Sequence, residues 1–330
     1  MNVESSLYKE LTDAELRAVI AEALHTTPVH YHLLAGGLFN TTYYVETADC
    51  GKVVLRMGPV NRHLLMPFEH YLMEAEGLVY DICAQHGIPA SEVLAMSTDK
   101  ALLDRDYMIV RYIPSITFKD APLSEADHAR LYREFGQHVA AMHRITRPRF
   151  GRIQDVERGG GFDRWSECLQ SELEEYIRVA APYPIFVQED FDRLREIYRL
   201  HAPLLDTVKT SCLVHTDLGP GNVLIRNDGP TPAFGAIIDT DRAMWGDTEF
   251  DFFLIDWMLT DDFIAGYGAP ILTEDPRVLR RRTLCRLTRL LWDTYVWEVE
   301  YHKHEYMLHN RRVIREMIDE LLADPITPEG

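Results

Sequence analysis

A chain of 330 residues is long enough for one two-lobed domain or two ordinary ones. With 46% hydrophobic and 26% charged residues it has the composition of a globular enzyme, not of a disordered or fibrous chain. Its net charge of −18 argues against nucleic acid, whose phosphates would repel it; the same charge suits a cationic ligand, or simply keeps a surface soluble.

No apolar run approaches the length of a membrane span, and none follows Met1 in the manner of a signal peptide. Cys50, Cys83, Cys168, Cys212 and Cys285 are scattered without CxxC spacing. Such a set fits neither a disulfide framework nor a zinc site, and it fits a reducing cytoplasm.

In chain order, Thr12-x-x-Glu15 is a capping box, and Leu16, Val19, Ile20, Ala23 and Leu24 follow at helical spacing. Gly36-Gly37-Leu38-Phe39-Asn40 then opens a strand-rich stretch. Thr42 and Tyr44 alternate with Tyr43 and Val45, a turn at Asp49-Cys50-Gly51 follows, and Lys52 to Met57 supply the partner strand. A glycine pair between strands lets backbone approach a phosphate closely, because no Cβ intervenes; an ordinary hairpin turn has the same look. A helix carrying Glu74 and Glu76 ends at Gly87-Ile88-Pro89. Arg105 to Pro114 reads as a strand running into a proline-ended linker. Ser124-x-x-Asp127 caps a long helix with Leu131, Phe135, Val139 and Met142 on one face and His143 at its end. Gly159 to Gly161 break the chain before a helix from about Asp163 to Val179.

Leu213 to Ile225 holds the most informative motif. His215, Asp217 and Asn222 form H-x-D-x-x-x-x-N between two apolar runs, and Ala236-Ile-Ile-Asp239-Thr-Asp241 follows at hairpin distance. Phosphoryl transfer needs this set: a carboxylate beside the acceptor hydroxyl, then an amide and a second carboxylate to hold Mg²⁺ on the phosphates. Asp and Asn also favour turns on their own account, so the flanking strands are what give the motif weight. Beyond it, Leu284, Leu287 and Leu291 form one helical stripe, and Val313, Ile314, Met317, Ile318 and Leu321 another. Trp257, Trp292 and Trp297 lie here with Asp261, Asp262, Glu298 and Glu300. They suit either a cation site of aromatic faces beside carboxylates, or an apolar core with a solvated acidic face.

From about Leu33 to Leu259 the chain resembles the aminoglycoside phosphotransferase and choline kinase group, small-molecule kinases with the protein-kinase fold. The resemblance is carried by His215, Asp217, Asn222, Asp239, Gly246, Asp247 and Asp251 in that order. It implies an α+β fold of two lobes: an antiparallel-sheet lobe over residues 1–113 that binds nucleotide, and a mostly helical lobe over 114–330. It further implies Asp217 as catalytic base, Asn222 and Asp239 as Mg²⁺ ligands, and ATP as donor with GTP also allowed. His215, Asp241, Asp247 and Asp251 support the loops, with Asp241 a possible extra metal ligand. Gly36, Gly37 and Asn40 fall on the nucleotide loop, and Met108, Val110 and Tyr112 on the adenine-binding hinge. The family's strand lysine is absent and Arg56 stands in its place. Glu76 is its expected partner and Glu74 the rival. The expected acceptor is a hydroxyl of a small molecule, either a cationic aminoglycoside-like antibiotic or another hydroxylated metabolite. A protein kinase fits less well, since His215-Thr-Asp217 lacks the usual arginine and no D-F-G or A-P-E follows. The remaining alternative is an inactive nucleotide-binding module that acts through partners.

Overall fold

The computed structural model describes residues 5–34, 39–253 and 259–326. Thr12 and Glu15 close the capping box reciprocally, and α1 (Asp13–Leu24) buries Leu16, Val19 and Ile20. The three side chains sit on an antiparallel sheet made of β1 (Pro28–Leu33), β2 (Thr41–Thr47) and β3 (Lys52–Met57), then, after α2 (Leu72–Gln85), β4 (Val93–Ser97) and β5 (Tyr107–Arg111). The strand order is β1-β2-β3-β5-β4. Val53, Leu55 and Met57 are buried on one face of β3, while Arg56 points to the other. That period-two alternation aims the guanidinium at the rest of the molecule.

α2 serves both halves. Ala75, Val79, Ile82 and Cys83 pack into a core shared with Leu213, Val223, Ile225 and Ile237, and Met73 and Tyr80 pack under the sheet against Met108 and Val110. Glu76 is thereby held 1% exposed between the two. The chain leaves the sheet at Arg111, and β6 (Ser115–Thr117) already pairs with a strand of a second sheet.

The larger half begins with α3 (Glu125–His143), followed by β7 (Thr146–Arg147), β8 (Gly151–Arg152), α4 (Ile153–Glu157), α5 (Trp165–Ala180), α6 (Gln188–Leu200) and α7 (Ala202–Leu205). Then come β9 (Ser211–Val214), β10 (Val223–Arg226), β11 (Ala233–Ile237) and β12 (Met244–Gly246). Helices α8 (Asp261–Tyr267), α9 (Pro276–Tyr295) and α10 (His304–Ala323) complete it. Sheet order is β11-β10-β6 in one small sheet and β7-β9-β12-β8 in the other. The helical stripes read from the sequence are core: Leu284, Leu287, Leu291, Ile314, Met317, Ile318 and Leu321 are all buried together. No helix among the described residues is long and apolar enough to cross a membrane.

α3 and α8 touch backbone to backbone. A Cβ on Gly266 would lie 1.9 Å from the Arg133 carbonyl oxygen, and one on Gly136 2.2 Å from that of Phe263. Only glycine permits this approach. It brings His143 and Tyr267, at the ends of the two helices, within 2.8 Å of each other and His143 within 2.9 Å of Asp251.

Candidate active site

The loop from β9 to β10 is set by strain and by one buried carboxylate. Thr216 lies at φ +65°, a costly conformation for a β-branched residue. It is held there from both sides. Its N–H donates to Asp251 Oδ1 at 2.7 Å, and its hydroxyl donates to the Arg242 carbonyl at 2.9 Å. Asp251 also accepts from the His215 N–H at 3.0 Å and pairs with His143 at 2.9 Å. Burial alone would raise the Asp251 pKa, but the His143 hydrogen bond and charge, with His215 beyond them, hold it below the usual carboxylate value. Asp247 works similarly one turn earlier: it caps the turn at Glu249 and takes Arg281 at 2.7 Å.

His215 is wholly buried. Its Nδ1 accepts the Asp217 N–H at 3.3 Å, so the proton sits on Nε2, which donates to the Ile238 carbonyl at 3.0 Å. The ring thus ties the loop that carries Asp217 to the strand that precedes Asp239. Asn222 donates its Nδ2 to the Asp217 carbonyl at 2.9 Å, which leaves Oδ1 available as an acceptor. Asp239 follows β11 at φ +62° with a side chain 42% exposed.

Arg56 reaches across from β3. It pairs with Glu76 and, at 3.2 Å, with Asp239. Burial works against its charge, but Glu76, Tyr80, Asp239 and Asp241 hold its pKa above the ordinary arginine value. The rival Glu74 turns outward to Arg158 at 2.7 Å. Tyr80, one helical turn after Glu76, donates its hydroxyl to Glu76 and accepts the Asp239 N–H at 3.3 Å. Burial, then Glu76, push the Tyr80 phenol up, so it remains a donor.

These groups open on one cleft of about 830 Å³. Asn40, Val110 and Tyr112 line it beside Arg56, Asp217, Asn222, Asp239 and Asp241. Met108 does not: it is fully buried beneath the sheet. The Tyr112 N–H is bonded to the Lys52 carbonyl at 3.1 Å. Gly36 and Gly37 lie outside the described residues, as does Trp257.

The donor set fits a hard divalent cation. Asn222 Oδ1 and the Asp239 carboxylate face one cleft, and oxygen donors suit Mg²⁺, which keeps several waters and phosphate oxygens. Burial, then Asp239 and Glu76, push the Asp241 pKa well up, a crowding of like charge that a cation would relieve. Among the described residues no three His, Cys, Asp or Glu side chains form a metal cage.

Sequence reasoning missed three participants. Tyr80 was legible as the i+4 neighbour of Glu76. His143 had no local sign of its bond to Asp251. Arg289 had none either, coming from α9 far along the chain. Its Nη2 pairs with Asp217 at 3.1 Å, its Nη1 donates to the Thr216 carbonyl at 2.9 Å and its Nε to Asp293 at 2.9 Å.

The cation-site reading of the late tryptophans and acids also changes. Trp292 is 1% exposed and stacks on Phe250, and the protein's own Arg152 lies 4.2 Å over its ring. Asp262 pairs with Arg133, Glu298 with His304, and Glu300 is fully buried. Among the described residues of that group, only Trp297 lines the cleft.

The fold is shared with known small-molecule kinases. A Thermobifida fusca protein carrying the provisional name fructosamine-3-kinase superposes with a TM-score of 0.66 at 18% identity, covering 94% of this chain and 99% of the other. The GDP and kanamycin complex of APH(2″)-IIIa gives 0.63 at 13%, covering 94% and 99%. Macrolide 2′-phosphotransferase type I gives 0.57 at 14%, covering 93% and 99%. No curated protein sequence matches the chain. The family model for the phosphotransferase enzyme family matches residues 30–282. The chain, with its two-lobed kinase-like fold, belongs to the phosphotransferase enzyme family.

Proposed function

We propose that the protein transfers the γ-phosphoryl group of ATP, with Mg²⁺, to a hydroxyl of a small molecule. The convergence of Asp217, Asn222, Asp239 and Arg56 on one cleft carries this reading. In it, residues 1–113 form the nucleotide lobe and 114–330 the catalytic and acceptor lobe. Val110, Tyr112 and Asn40 line the nucleotide end, and Arg56 braces the phosphates from its seat on Glu76. GTP is an allowed alternative donor in the same reading. Structures of the same fold hold GDP with kanamycin, or ADP with spectinomycin.

Asp217 orients the acceptor hydroxyl and takes its proton. His215, Asp251 and Arg289 keep that carboxylate in place, so little reorganisation is left to the reaction itself. Asn222 and Asp239 would hold Mg²⁺, with Asp241 beside them; when bound, the ion neutralises charge on the phosphates. The five cysteines are all free, and we assign the protein to the cytoplasm.

Asp217→Asn tests the reading. Turnover should fall by roughly 10²–10⁴-fold, the range for a positioned acid or base. Mg·ATP affinity should persist, since other groups hold the phosphates. Near-normal turnover in the variant would remove Asp217 from the chemistry, whereas absence of phosphate transfer by the wild type to any hydroxyl acceptor would favour the inactive-module alternative.

A further inference from the structure

The inner face of β3, one turn of α2 and the segment after β11 are joined in a closed ring. Arg56 pairs with Glu76, Glu76 accepts the Tyr80 hydroxyl, Tyr80 accepts the Asp239 N–H at 3.3 Å, and Asp239 returns to Arg56 at 3.2 Å. Chemistry fixes the direction of each bond. A carboxylate only accepts, so the Tyr80 proton points to Glu76 and the phenol oxygen is left to receive the backbone N–H.

Glu76 and Tyr80 lie four apart on α2 and therefore share a face. The Tyr80 side chain packs with Met73, Met108 and Val110, and the residue is 2% exposed. A phenylalanine would fill that apolar seat equally well. A hydroxyl there costs desolvation unless it is bonded, so its presence is accounted for by the two bonds it makes. One goes to the residue that seats Arg56, the other to the backbone of Asp239.

Asp239 needs such a hold. β11 ends at Ile237, and the N–H groups of Ile237 and Ile238 are bonded to the Pro89 and Asn222 carbonyls, each at 2.9 Å. Asp239 then turns to φ +62°, a region that L residues enter at a cost. Among the described residues, the Tyr80 hydroxyl is the acceptor for its N–H. Within the ring, the link to Arg56 occupies the Asp239 carboxylate, whereas the link to Tyr80 occupies only its backbone. The Tyr80 bond can therefore persist while the carboxylate meets a cation.

Resting on the reading of Asp239 as a metal ligand and Arg56 as the phosphate brace, we propose that Tyr80 is a positioning residue, whose hydroxyl holds the Asp239 backbone so that the carboxylate is presented to the cation. It also refers the metal ligand and the phosphate-bracing arginine to the same turn of α2. A displacement of that helix would move both groups together.

Tyr80→Phe removes the hydroxyl alone and keeps the apolar seat. Three quantities are read on the full chain: amide hydrogen exchange at Asp239 without metal or nucleotide, ADP affinity without metal, and the affinity for Mn²⁺ with ADP present. Mn²⁺ takes the same oxygen donors as Mg²⁺. Exchange at Asp239 should quicken by roughly three- to ten-fold, the factor that loss of one ordinary hydrogen bond gives, while Ile237 and Ile238 keep their wild-type rates. Mn²⁺ should bind more weakly by a similar factor, roughly three- to ten-fold. Metal-free ADP should change by less than about two-fold, since Arg56 stays on Glu76. A general loosening of the fold would instead raise exchange at all three amides and weaken metal-free ADP as well. That result, unchanged exchange at Asp239, or unchanged Mn²⁺ affinity overturns the proposal. The expected shifts in a protein that transfers no phosphate to any acceptor would support the positioning role and overturn the kinase reading; phosphate transfer by a Tyr80→Phe protein identical to wild type in all three quantities would do the reverse.

Discussion

Arg56 offers the sharpest perturbation, because its two roles separate experimentally. In the structure its guanidinium bridges Glu76, 1% exposed, and Asp239, 42% exposed. Arg56→Ala leaves Glu76 charged and buried with only the Tyr80 hydroxyl as partner. Breaking a buried ion pair from one side costs about 3–5 kcal/mol, so urea or thermal denaturation should show a loss near the lower end of that range. Phosphate binding should weaken by a further and distinct amount. A charge-assisted hydrogen bond contributes about 1.5–3 kcal/mol, or roughly ten- to 150-fold in affinity. Calorimetric titration should show that loss for ADP with Mg²⁺ and almost none for adenosine, which carries no phosphate. Arg56→Lys should recover part of it, since the charge returns without the fork that spans two anions. The double variant Arg56→Ala, Glu76→Gln distinguishes the two effects. Removing both buried charges should restore much of the stability while ADP affinity stays low. If ADP binds Arg56→Ala as tightly as it binds the wild type, Arg56 does not touch the phosphates, and the nucleotide register built on β3 fails.

Three further perturbations follow from the site. Asp239→Ala should weaken Mg·ATP binding more than Asn222→Ala, because a carboxylate offsets the cation's charge whereas an amide only coordinates it; metal titration of both variants checks this, and equal affinities would contradict it. Arg289→Ala should lower kcat by up to about 100-fold through a displaced Asp217, with the KM for ATP within about two-fold; Arg289→Lys should recover part of the rate, and an unchanged kcat would show that the bridge does not position the base. Asp251 has its pKa depressed by His143 and His215 against burial, so its stabilising contribution is complete above the unfolded value of about 3.9 and is lost as pH falls through the lower folded value. Asp251→Asn should therefore flatten the acid side of the stability curve while destabilising the protein near neutrality by about 1–3 kcal/mol, and an acid limb identical to wild type would show that this group does not control it.

The legible part of this protein was the part written in local pattern. The capping box of α1, the alternation of β2 and β3 and the stripes of α9 and α10 follow from periodicities that one segment carries alone. The spacing of His215, Asp217 and Asn222 with Asp239 is also local: two strands and two tight turns suffice to bring them together. The preference for Glu76 over Glu74 needed only the helix period and an arginine on the inner face of β3. What the sequence could not display were contacts between segments that meet only when the chain is folded. Arg289 reaches Asp217 because α9 packs alongside the loop after β9, His143 reaches Tyr267 because two glycines let α3 and α8 touch, and Met108 is buried because α2 covers that face of the sheet. The same holds for charge. A composition of −18 invites a cationic ligand, yet which carboxylates are partnered is decided by tertiary packing, which carries Arg289 of α9 onto both Asp217 and Asp293 and Arg242 onto the buried Glu69. A residue's type sets which chemistry it can perform, but the fold decides which partner stands opposite it and therefore whether its charge remains available.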